Sequence, residues 1–345
     1  MSGVTVPDHK AEPAETVVQK PDLSIIIVSF NTKEYLRRCL QNVFRDTSSL
    51  DIEVIVVDNN SVDGSVAMLA EEFPQVRLIP SSVNLGFAGA NNRALQVAQG
   101  RFFVLLNSDA FVQPNALKLA FDHMVANPTV GLAGGRLIGE RNTWQPAARS
   151  FPSLVSEIFT LSGLSSKYPR SRVFGKPDRT YADPFVPAET DWVPGAFAII
   201  ASDVLKQTGF FDETFFLYFE EVDLCKRIKS LGYKVMYWPD VVVVHLGGES
   251  SKQLKGAVRS KSGSQVTLWR MRSELLYYRK HHGFLATVLT YGVESLWHGM
   301  RCLRNALARG AEAKAKAEES REIIALKTRA WKETRGGLVS PARPW

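Results

Sequence analysis

Short apolar runs alternate with helix-like stretches along the first half of the chain. Residues 25–28 and 54–57 are continuous runs of Ile and Val, which are typical of strands buried on both faces of a parallel sheet. Residues 76–79 and 102–106 repeat the pattern on either side of a helix predicted near 88–98. The order of strand, helix and strand predicts a doubly wound, mostly parallel α/β sheet with a Rossmann-like half. Ligands bind at the carboxyl ends of the strands in such sheets.

The second half of the chain has a less regular pattern. Periodicity weakens between residues 135 and 190, where Pro, Ser and Arg accumulate, so this segment is predicted to be a long functional loop region. Regular structure resumes with residues 192–200 and with a helix predicted to begin near Glu220. An apolar strand at 241–244 ends at His245.

The net charge of +7 is concentrated at the C-terminal end. Residues 252–345 contain 19 Lys and Arg against 7 Asp and Glu, whereas residues 1–251 contain 23 against 28. We therefore predict a disordered tail over 1–21, one α/β domain over 22–251, and a basic, amphipathic helical region over 252–345. Basic surfaces bind anionic membranes or nucleic acids. No nucleic-acid-binding motif accompanies this one, so no nucleic-acid partner is expected.

One helix of the basic region is predicted to be amphipathic. Its apolar face consists of Leu285, Val288, Leu289, Val293, Leu296, Trp297, Met300, Leu303 and Leu307. Charged residues interrupt it too often for a membrane-spanning segment. Two interpretations stay open at this point: the helix lies in the headgroup region of an anionic membrane, or its apolar face packs on the preceding domain or on a second subunit of a homo-oligomer.

The cysteines favour a reducing compartment. Cys39, Cys225 and Cys302 are far apart and lack the spacing of a zinc site, so neither disulfides nor structural zinc is expected. The N-terminal residues lack an apolar run of signal-peptide type. A cytoplasmic location is therefore the expectation.

Polar residues follow several of the predicted strands closely and should converge on one edge of the sheet. They are Ser29, Asn31, Asp58, Asn84, Asn107 and Asp109. A carboxylate at a strand end is a suitable ligand for Mg²⁺ or Mn²⁺, and Asp109 is the candidate. Each acid alone is as well explained by a turn or a helix cap, but the set together favours a binding pocket.

A glycine-rich segment provides a second candidate. Residues 84–92 place Gly86 and Gly89 near a predicted helix start, where exposed backbone can approach a phosphate or a sugar. Asn84, Gly86 and Asn92 are therefore candidate ligand contacts. A loop shaped for tight packing is the alternative.

Three carboxylates follow an aromatic cluster at residues 215–219. Glu220, Glu221 and Asp223 lie within four positions. A carboxylate next to aromatic surface is partly desolvated, which raises its pKa and suits it to accept a proton. The alternative is that acids favour the first turn of a helix because of its macrodipole. His245 is a further candidate metal ligand.

Together these segments resemble the family 2 glycosyltransferases with a GT-A fold, and most closely the branch of bacterial rhamnosyltransferases. The resemblance covers residues 23–251 and rests on seven segments in a fixed order. They are 24–31, 57–65, 84–92, 105–109, 192–196, 220–224 and 245–250.

The resemblance implies an inverting, metal-dependent transfer of a sugar by direct displacement. The segment 107–109 stands where the family has its metal-binding motif, so Asp109 would bind Mg²⁺ or Mn²⁺, with His245 as a second ligand. Asp58 would contact the base of the donor. The family's base is an Asp that aligns with Glu221; because Glu is longer, Glu220 and Asp223 remain alternatives. The wider set of donor contacts would be Ser29, Asn31, Asn60, Asn84, Gly86, Asn92, Asn107, Trp192 and Gly195.

The function implied by the resemblance is transfer of L-rhamnose from dTDP-rhamnose to a saccharide hydroxyl in cell-surface polysaccharide synthesis. The acceptor would be polyprenyl-linked, and the enzyme would sit in the cytoplasm or on the inner face of the plasma membrane. A UDP-hexose donor is the alternative within the same class. A non-catalytic relative that binds sugar nucleotides or glycans is the alternative from another class.

Overall fold

The computed structural model describes residues 20–46, 49–253 and 267–342. The predicted tail over 1–21 therefore falls outside the described residues, apart from its last two. The described chain contains one large sheet with helices on both faces. Its strands are β1 Leu23–Ser29, β2 Ile52–Asp58, β3 Arg77–Pro80, β4 Phe102–Asn107, β5 Ala110–Val112, β6 Val130–Ile138, β7 Trp144–Gln145, β8 Ala188–Thr190, β9 Phe197–Ala201 and β10 Lys234–His245.

The sheet has a parallel half and a mixed half. Its order is β3-β2-β1-β4-β9-β6-β10-β5, with β7 beside β6 and β8 beside β10. Strands β3, β2, β1 and β4 are parallel neighbours, whereas β9 is antiparallel to both β4 and β6. The carboxyl ends of β1, β2 and β4 therefore meet at one edge, which is where a doubly wound sheet binds ligands.

Helices cover both faces of this sheet. They are α1 Lys33–Asp46, α2 Ser65–Glu72, α3 Gly86–Leu95, α4 Ala116–Ala126, α5 Leu154–Leu161, α6 Leu164–Lys167, α7 Ser202–Thr208, α8 Glu220–Ser230, α9 Glu249–Lys252, α10 Thr267–Leu307 and α11 Ala311–Thr334. Ile25 and Ile27 pack into the core under α1, α2 and α4, while Ile26 packs into the core under α3, α7 and α8. Burial on both faces explains the continuous apolar run of β1. The predicted α/β class is confirmed.

The C-terminal helices form a folded-back arrangement against the α/β unit. Gly283 has φ 81° and ψ 178°, a backbone conformation that interrupts α10 and is almost exclusive to glycine. Residues before Gly283 pack on the domain through Leu276, Tyr277 and Tyr278. The segment after it runs alongside α11, where Glu294 forms a buried ion pair with Lys327.

The predicted amphipathic helix is present, but its orientation excludes packing of its apolar face on the preceding domain. Thr290, Glu294 and His298 are buried, whereas Leu285, Leu296 and Leu303 are exposed. Within the described residues, the part of α10 after Gly283 therefore packs its polar face against α11. Its apolar face is exposed and does not pack on the α/β domain. Among the described helices, none combines the length and the hydropathy needed to cross a membrane.

The interruption of α10 gives a stability prediction. Gly283→Ala should lower the free energy of unfolding by about 1–3 kcal/mol, because Ala does not tolerate this backbone conformation. Gly299→Ala is the matched control: it lies inside the same helix with open space around an added Cβ, and it should raise the free energy of unfolding by about 1 kcal/mol. Urea unfolding of both variants measures the difference. Equal stability of the two variants would contradict the assigned interruption of α10 at Gly283.

Candidate active site

A cleft of about 590 Å³ opens at the carboxyl edge of the sheet. Nine of the residues predicted from the sequence line it: Asn84, Gly86, Asn107, Asp109, Trp192, Gly195, Glu220, Glu221 and His245. They come from five separate stretches of the chain. The structure therefore brings together the segments on which the resemblance depends, in a cleft of the size typical of small-molecule sites.

Asp109 and His245 form a pair on one wall of the cleft. The antiparallel pairing of β5 with β10 sets His245 opposite Ala110, which places His245 Nε2 3.6 Å from Asp109 Oδ1. Asp109 Oδ2 accepts a hydrogen bond from the Glu249 amide at 3.1 Å. Burial lowers the pKa of His245, while the nearby Asp109 charge partly offsets this effect. Burial therefore favours the neutral form of the His245 imidazole.

Gln145 orients this histidine, although no sequence pattern marked Gln145 as a site residue. The Gln145 side-chain amide donates to the His245 carbonyl at 2.8 Å, and Gln145 Oε1 lies 3.0 Å from His245 Nδ1. Because Oε1 can only accept, Nδ1 carries the proton and Nε2 keeps its lone pair toward Asp109. Gln145 lies in the two-residue strand β7, within a segment that has no periodicity to mark it.

The pair fits a divalent cation. Ligand bonds of about 2.1 Å to one ion are compatible with a carboxylate oxygen and an imidazole nitrogen at the observed separation. Two protein ligands leave the remaining coordination positions to waters and to phosphate oxygens of a substrate. Nitrogen ligation favours Mn²⁺ over the harder Mg²⁺.

Glu220 and Glu221 enter the cleft from the first turn of α8. The two residues before them, Tyr218 and Phe219, have φ values of 68° and 69°, in a region that costs about 1–3 kcal/mol for a non-glycine residue. This strained turn starts the helix abruptly. Both carboxyl groups consequently lie in the cleft, and each has one buried oxygen without a hydrogen-bond partner among the described residues.

The two glutamates differ in their electrostatic surroundings. Burial raises the pKa of Glu220 well above its ordinary value, and the charge of Glu221 raises it further. Burial also raises the pKa of Glu221, but the Arg149 guanidinium partly lowers it. Neighbouring acids whose pKa values are separated in this way take different protonation states. Glu221 is therefore the carboxylate that ionises first, and Glu220 retains its proton to higher pH.

Asp223, the third candidate base, has a different role. Its carboxylate is fully buried and pairs with Arg227 at 2.8 Å, Lys280 at 2.6 Å and His281 at 2.7 Å. The hydrogen bonds from His281 and Lys280 hold its pKa down to about 2, against the opposing effect of burial. Asp223 does not line the cleft. It instead joins α8 to α10 through its pairs with Lys280 and His281.

The glycine-rich segment is held in place by Asn59, which the sequence analysis did not single out. Asn59 accepts from the Leu85 amide at 2.7 Å and donates to Asn84 Oδ1 at 3.0 Å. Gly86 has φ 75°, and a Cβ there would meet the Phe216 carbonyl at 2.3 Å. Both Asn84 and Gly86 thus lie in the cleft wall because backbone packs against backbone.

Three predicted contact residues at or just after the ends of β1 and β2 do not reach the cleft. The Ser29 hydroxyl is buried against Thr32, which donates to Ser108 at 2.9 Å, so Ser29 supports the segment containing Asp109. Asn31 accepts from the Val62 amide at 2.7 Å and links two loops. Asn60 is exposed, at φ 71°. None of these three side chains lines the cleft.

Asp58 does not line the cleft itself, but it has a free acceptor and precedes Asn59, which does line the cleft. Its Oδ1 accepts from the Ser61 amide at 2.9 Å, whereas the buried Oδ2 has no hydrogen-bond partner among the described residues. A buried carboxylate oxygen without a partner is costly. This oxygen is therefore the available acceptor for a polar ligand at the end of β2.

Asn92 braces a distant loop and does not line the cleft. Its side chain donates to the Phe211 carbonyl at 2.9 Å and accepts from the Phe211 amide at 3.2 Å.

Trp192 lines the cleft, and the Arg149 guanidinium stacks over its ring at 4.6 Å. Arg149 lines the cleft and was not predicted, since an isolated Arg in an irregular segment gives no sequence signal.

The first part of α10 supports the strained turn. Trp269 packs on Phe216 with ring centroids 4.4 Å apart, and Tyr277 packs on Phe219 at 5.4 Å. Ser273 donates to the Leu217 carbonyl at 2.8 Å. The basic C-terminal region thus contributes directly to the scaffold of the site.

Comparison with known proteins gives the family. Residues 24–186 match the model of glycosyl transferase family 2. This segment of the chain therefore resembles the family 2 glycosyltransferases. The predicted recognition is confirmed, and the matched residues include Asp58 and the segment 107–109.

Two of the similar proteins are bacterial rhamnosyltransferases. The N-acetylglucosaminyl-diphospho-decaprenol L-rhamnosyltransferase of Mycobacterium tuberculosis is 26% identical over 238 residues, which cover 65% of this chain and 75% of the relative. The rhamnosyltransferase WbbL of Escherichia coli K12 is 24% identical over 265 residues, covering 73% and 91%. These identities are modest.

Solved structures share the fold. The mannosyltransferase of Pyrobaculum calidifontis, determined with GDP-Man and Mn²⁺, superimposes with a TM-score of 0.51 at 19% identity, covering 93% of this chain and 88% of that one. GalNAc-T7, determined with UDP, GalNAc and Mn²⁺, gives 0.55 at 16% identity over 93% and 59%. At this identity the likeness establishes the GT-A-like fold alone.

The pairing of Asp223 predicts a pH-dependent loss of stability. Asp223→Asn should destabilise the fold by about 2 kcal/mol near neutral pH, because the folded-state pKa of about 2 lies below the ordinary aspartate value of 3.8. This stabilisation is present above pH 3.8 and is lost as the pH falls toward 2, so wild type and variant should converge in acid. Asp203→Asn, which breaks an exposed pair with Lys206, is the control and should change little. Thermal unfolding across this pH range measures both variants.

Proposed function

We propose that this chain is a metal-dependent, inverting glycosyltransferase whose metal lies between Asp109 and His245 and whose base is Glu221. The observation that carries the proposal is the meeting of these groups in one cleft. Asp109 and His245 form a mixed oxygen and nitrogen pair, and two desolvated carboxylates line the same cleft. A non-catalytic binding relative would have no need for a strained turn that buries two acids.

The donor is a nucleoside diphosphate sugar. Asp58 Oδ2 is the acceptor for an N–H of the base, and the cleft wall formed by 84–86 receives the sugar or its phosphates. A divalent cation at Asp109 and His245 would neutralise the diphosphate and stabilise it as a leaving group. The fit of this pair supports Mn²⁺ or Mg²⁺ as the cofactor, with Mn²⁺ preferred.

Glu221 accepts the proton of the attacking hydroxyl. The acceptor oxygen forms the new bond to the anomeric carbon while the bond from that carbon to the diphosphate oxygen breaks, so nucleoside diphosphate leaves. Direct displacement of this kind inverts the anomeric configuration. The raised pKa of Glu221 makes it a stronger base than an exposed carboxylate, and Glu220 holds a proton beside it.

The sugar and the acceptor are assigned from the relatives. Both rhamnosyltransferases match this chain over two-thirds or more of their own length, which supports L-rhamnose from a dTDP donor. The name of the mycobacterial relative supports a polyprenyl diphosphate-linked saccharide as acceptor, in cell-surface polysaccharide synthesis. Such an acceptor would place the enzyme at the inner face of the plasma membrane. UDP-hexose is the competing donor.

A donor screen tests this proposal. Purified protein is incubated with dTDP-rhamnose, UDP-glucose, UDP-galactose or GDP-mannose, each with Mn²⁺, Mg²⁺ or EDTA, and thermal stabilisation is recorded. We expect stabilisation by dTDP-rhamnose with Mn²⁺ and its loss with EDTA. Stabilisation by a UDP-sugar alone would reassign the donor. If none of these nucleotide sugars stabilises the protein, the proposed function is wrong.

Glu221→Gln should separate binding from turnover. The variant keeps the shape of the side chain but removes the proton acceptor, so donor-induced stabilisation should persist while transfer falls by about 100-fold or more. Glu220→Gln should retain most of the activity, since Glu220 already carries a proton. Transfer is followed by release of the nucleoside diphosphate in the presence of a saccharide acceptor. A larger loss in Glu220→Gln than in Glu221→Gln would exchange the two roles.

The pH dependence of transfer should depend on Arg149. Because burial raises the pKa of Glu221 above 4.5, kcat should decline on the acid side at a pH higher than an exposed glutamate would give. Arg149→Gln removes the charge that favours ionised Glu221, so the acid limb should move to still higher pH. Arg179→Gln serves as the control, because the Arg179 guanidinium does not line the cleft and donates to the Glu189 carbonyl. An acid limb unaffected by Arg149→Gln would exclude Glu221 as the group that titrates.

A further inference from the structure

The second part of α10, after Gly283, exposes an apolar face that the catalytic site does not use. Its large apolar side chains follow one another at helical spacing, and each is at least 46% exposed. They are Phe284, Leu285, Leu289, Leu296, Met300, Leu303 and Leu307. Soluble proteins expose apolar side chains singly, whereas a continuous row marks an interaction surface. This row extends over about 36 Å, since an α-helix rises 1.5 Å per residue.

The polar face of the same helix is the buried one. Thr287, Thr290 and Asn305 are buried on it, and Glu294 pairs with Lys327 in the interior. Arg301 donates to Glu319 at 2.7 Å and to Ser320 at 3.2 Å. Rotation of the helix to hide its apolar face would break these pairs and leave buried charges without partners, which is strongly unfavourable. The fold therefore holds the apolar face outward.

The charges beside the apolar face are basic. Within residues 284–310, the acidic residue is Glu294, which is buried in its ion pair. Arg304 and Arg309 are exposed, and the region 252–345 carries 19 basic against 7 acidic residues. A second copy of the chain would bring the same positive flank against itself. An anionic headgroup layer complements it instead.

We propose that the exposed face of α10 docks this enzyme on an anionic lipid surface. The helix would lie in the plane of the interface, with Leu296, Met300 and Leu303 among the acyl chains and Arg304 and Arg309 at the headgroups. It does not span the bilayer, because its other face holds the buried pairs with α11. Lipid docking extends the membrane location proposed above, yet it rests on α10 alone and not on the identity of the donor.

The docking face is connected to the catalytic turn through one helix. The part of α10 before Gly283 packs on Phe216 and Phe219, and the part after it carries the apolar face. Docking would therefore fix the position of the cleft relative to the lipid surface. This arrangement suits an acceptor that is itself embedded in the same surface.

Vesicle binding by the full chain tests the proposal. Large unilamellar vesicles of phosphatidylcholine, with or without phosphatidylglycerol, are sedimented with the protein at low and high salt. We expect binding to the anionic vesicles that weakens as salt is raised. Leu296→Gln/Met300→Gln/Leu303→Gln should weaken binding by at least about tenfold, since it removes the apolar contribution. Arg304→Gln/Arg309→Gln should remove most of the salt dependence.

Controls separate lipid docking from folding and from donor binding. Val66→Gln/Val125→Gln replaces exposed apolar residues on α2 and α4 and should bind vesicles like wild type. Circular dichroism and nucleotide-induced thermal stabilisation should be unchanged in every variant. The proposal is overturned if wild type does not bind anionic vesicles, or if the triple variant binds equally well. It is also overturned if wild type forms a dimer that the triple variant loses, without vesicle binding by either.

Discussion

The site depends on the pairing of β5 with the end of β10. This short antiparallel pairing sets His245 opposite Ala110 and so brings Asp109, from the turn after β4, within 3.6 Å of the imidazole. The two residues are 136 positions apart in the sequence, and backbone hydrogen bonds hold them in register. A shift of one residue would turn His245 to the other face of the sheet. The proximity of Asp109 and His245 therefore depends on strand register.

The second requirement is the strained turn before α8. Tyr218 and Phe219 adopt unfavourable backbone conformations, and the surrounding structure must supply the energy that keeps them there. The first part of α10 does so through aromatic packing and through Lys280 and His281, which bind Asp223. One acid of the cluster at 220–223 thus anchors the helix, while the other two remain in the cleft. The C-terminal helices are part of the catalytic scaffold as well as the carrier of the apolar face.

Hydrophobic periodicity predicted the positions of the central strands, and the polar residues that follow strands predicted part of the cleft. β1, β2 and β4 lie where the apolar runs placed them, and Asp109 and the pair at 220–221 lie in the cleft. β10 begins at Lys234, well before the predicted 241–244, because Pro239 and Asp240 interrupt the apolar pattern at a register shift between Trp238 and Val242. Gln145, Arg149 and Asn59 were missed, since their importance arises from contacts between distant segments. Ser29, Asn31 and Asn92 were assigned to the ligand but are committed to internal hydrogen bonds, which no local pattern reveals.

The central claim is that Asp109 and His245 bind a divalent cation together with the donor diphosphate. Electron paramagnetic resonance of Mn²⁺ with wild type, Asp109→Asn and His245→Ala, in the presence and absence of dTDP, tests it most directly. The account predicts that wild type immobilises Mn²⁺ when dTDP is present, and that Asp109→Asn abolishes this binding while the fold persists. The claim would be contradicted if wild type bound dTDP as tightly in EDTA as in Mn²⁺. It would also be contradicted if both variants immobilised Mn²⁺ as wild type does.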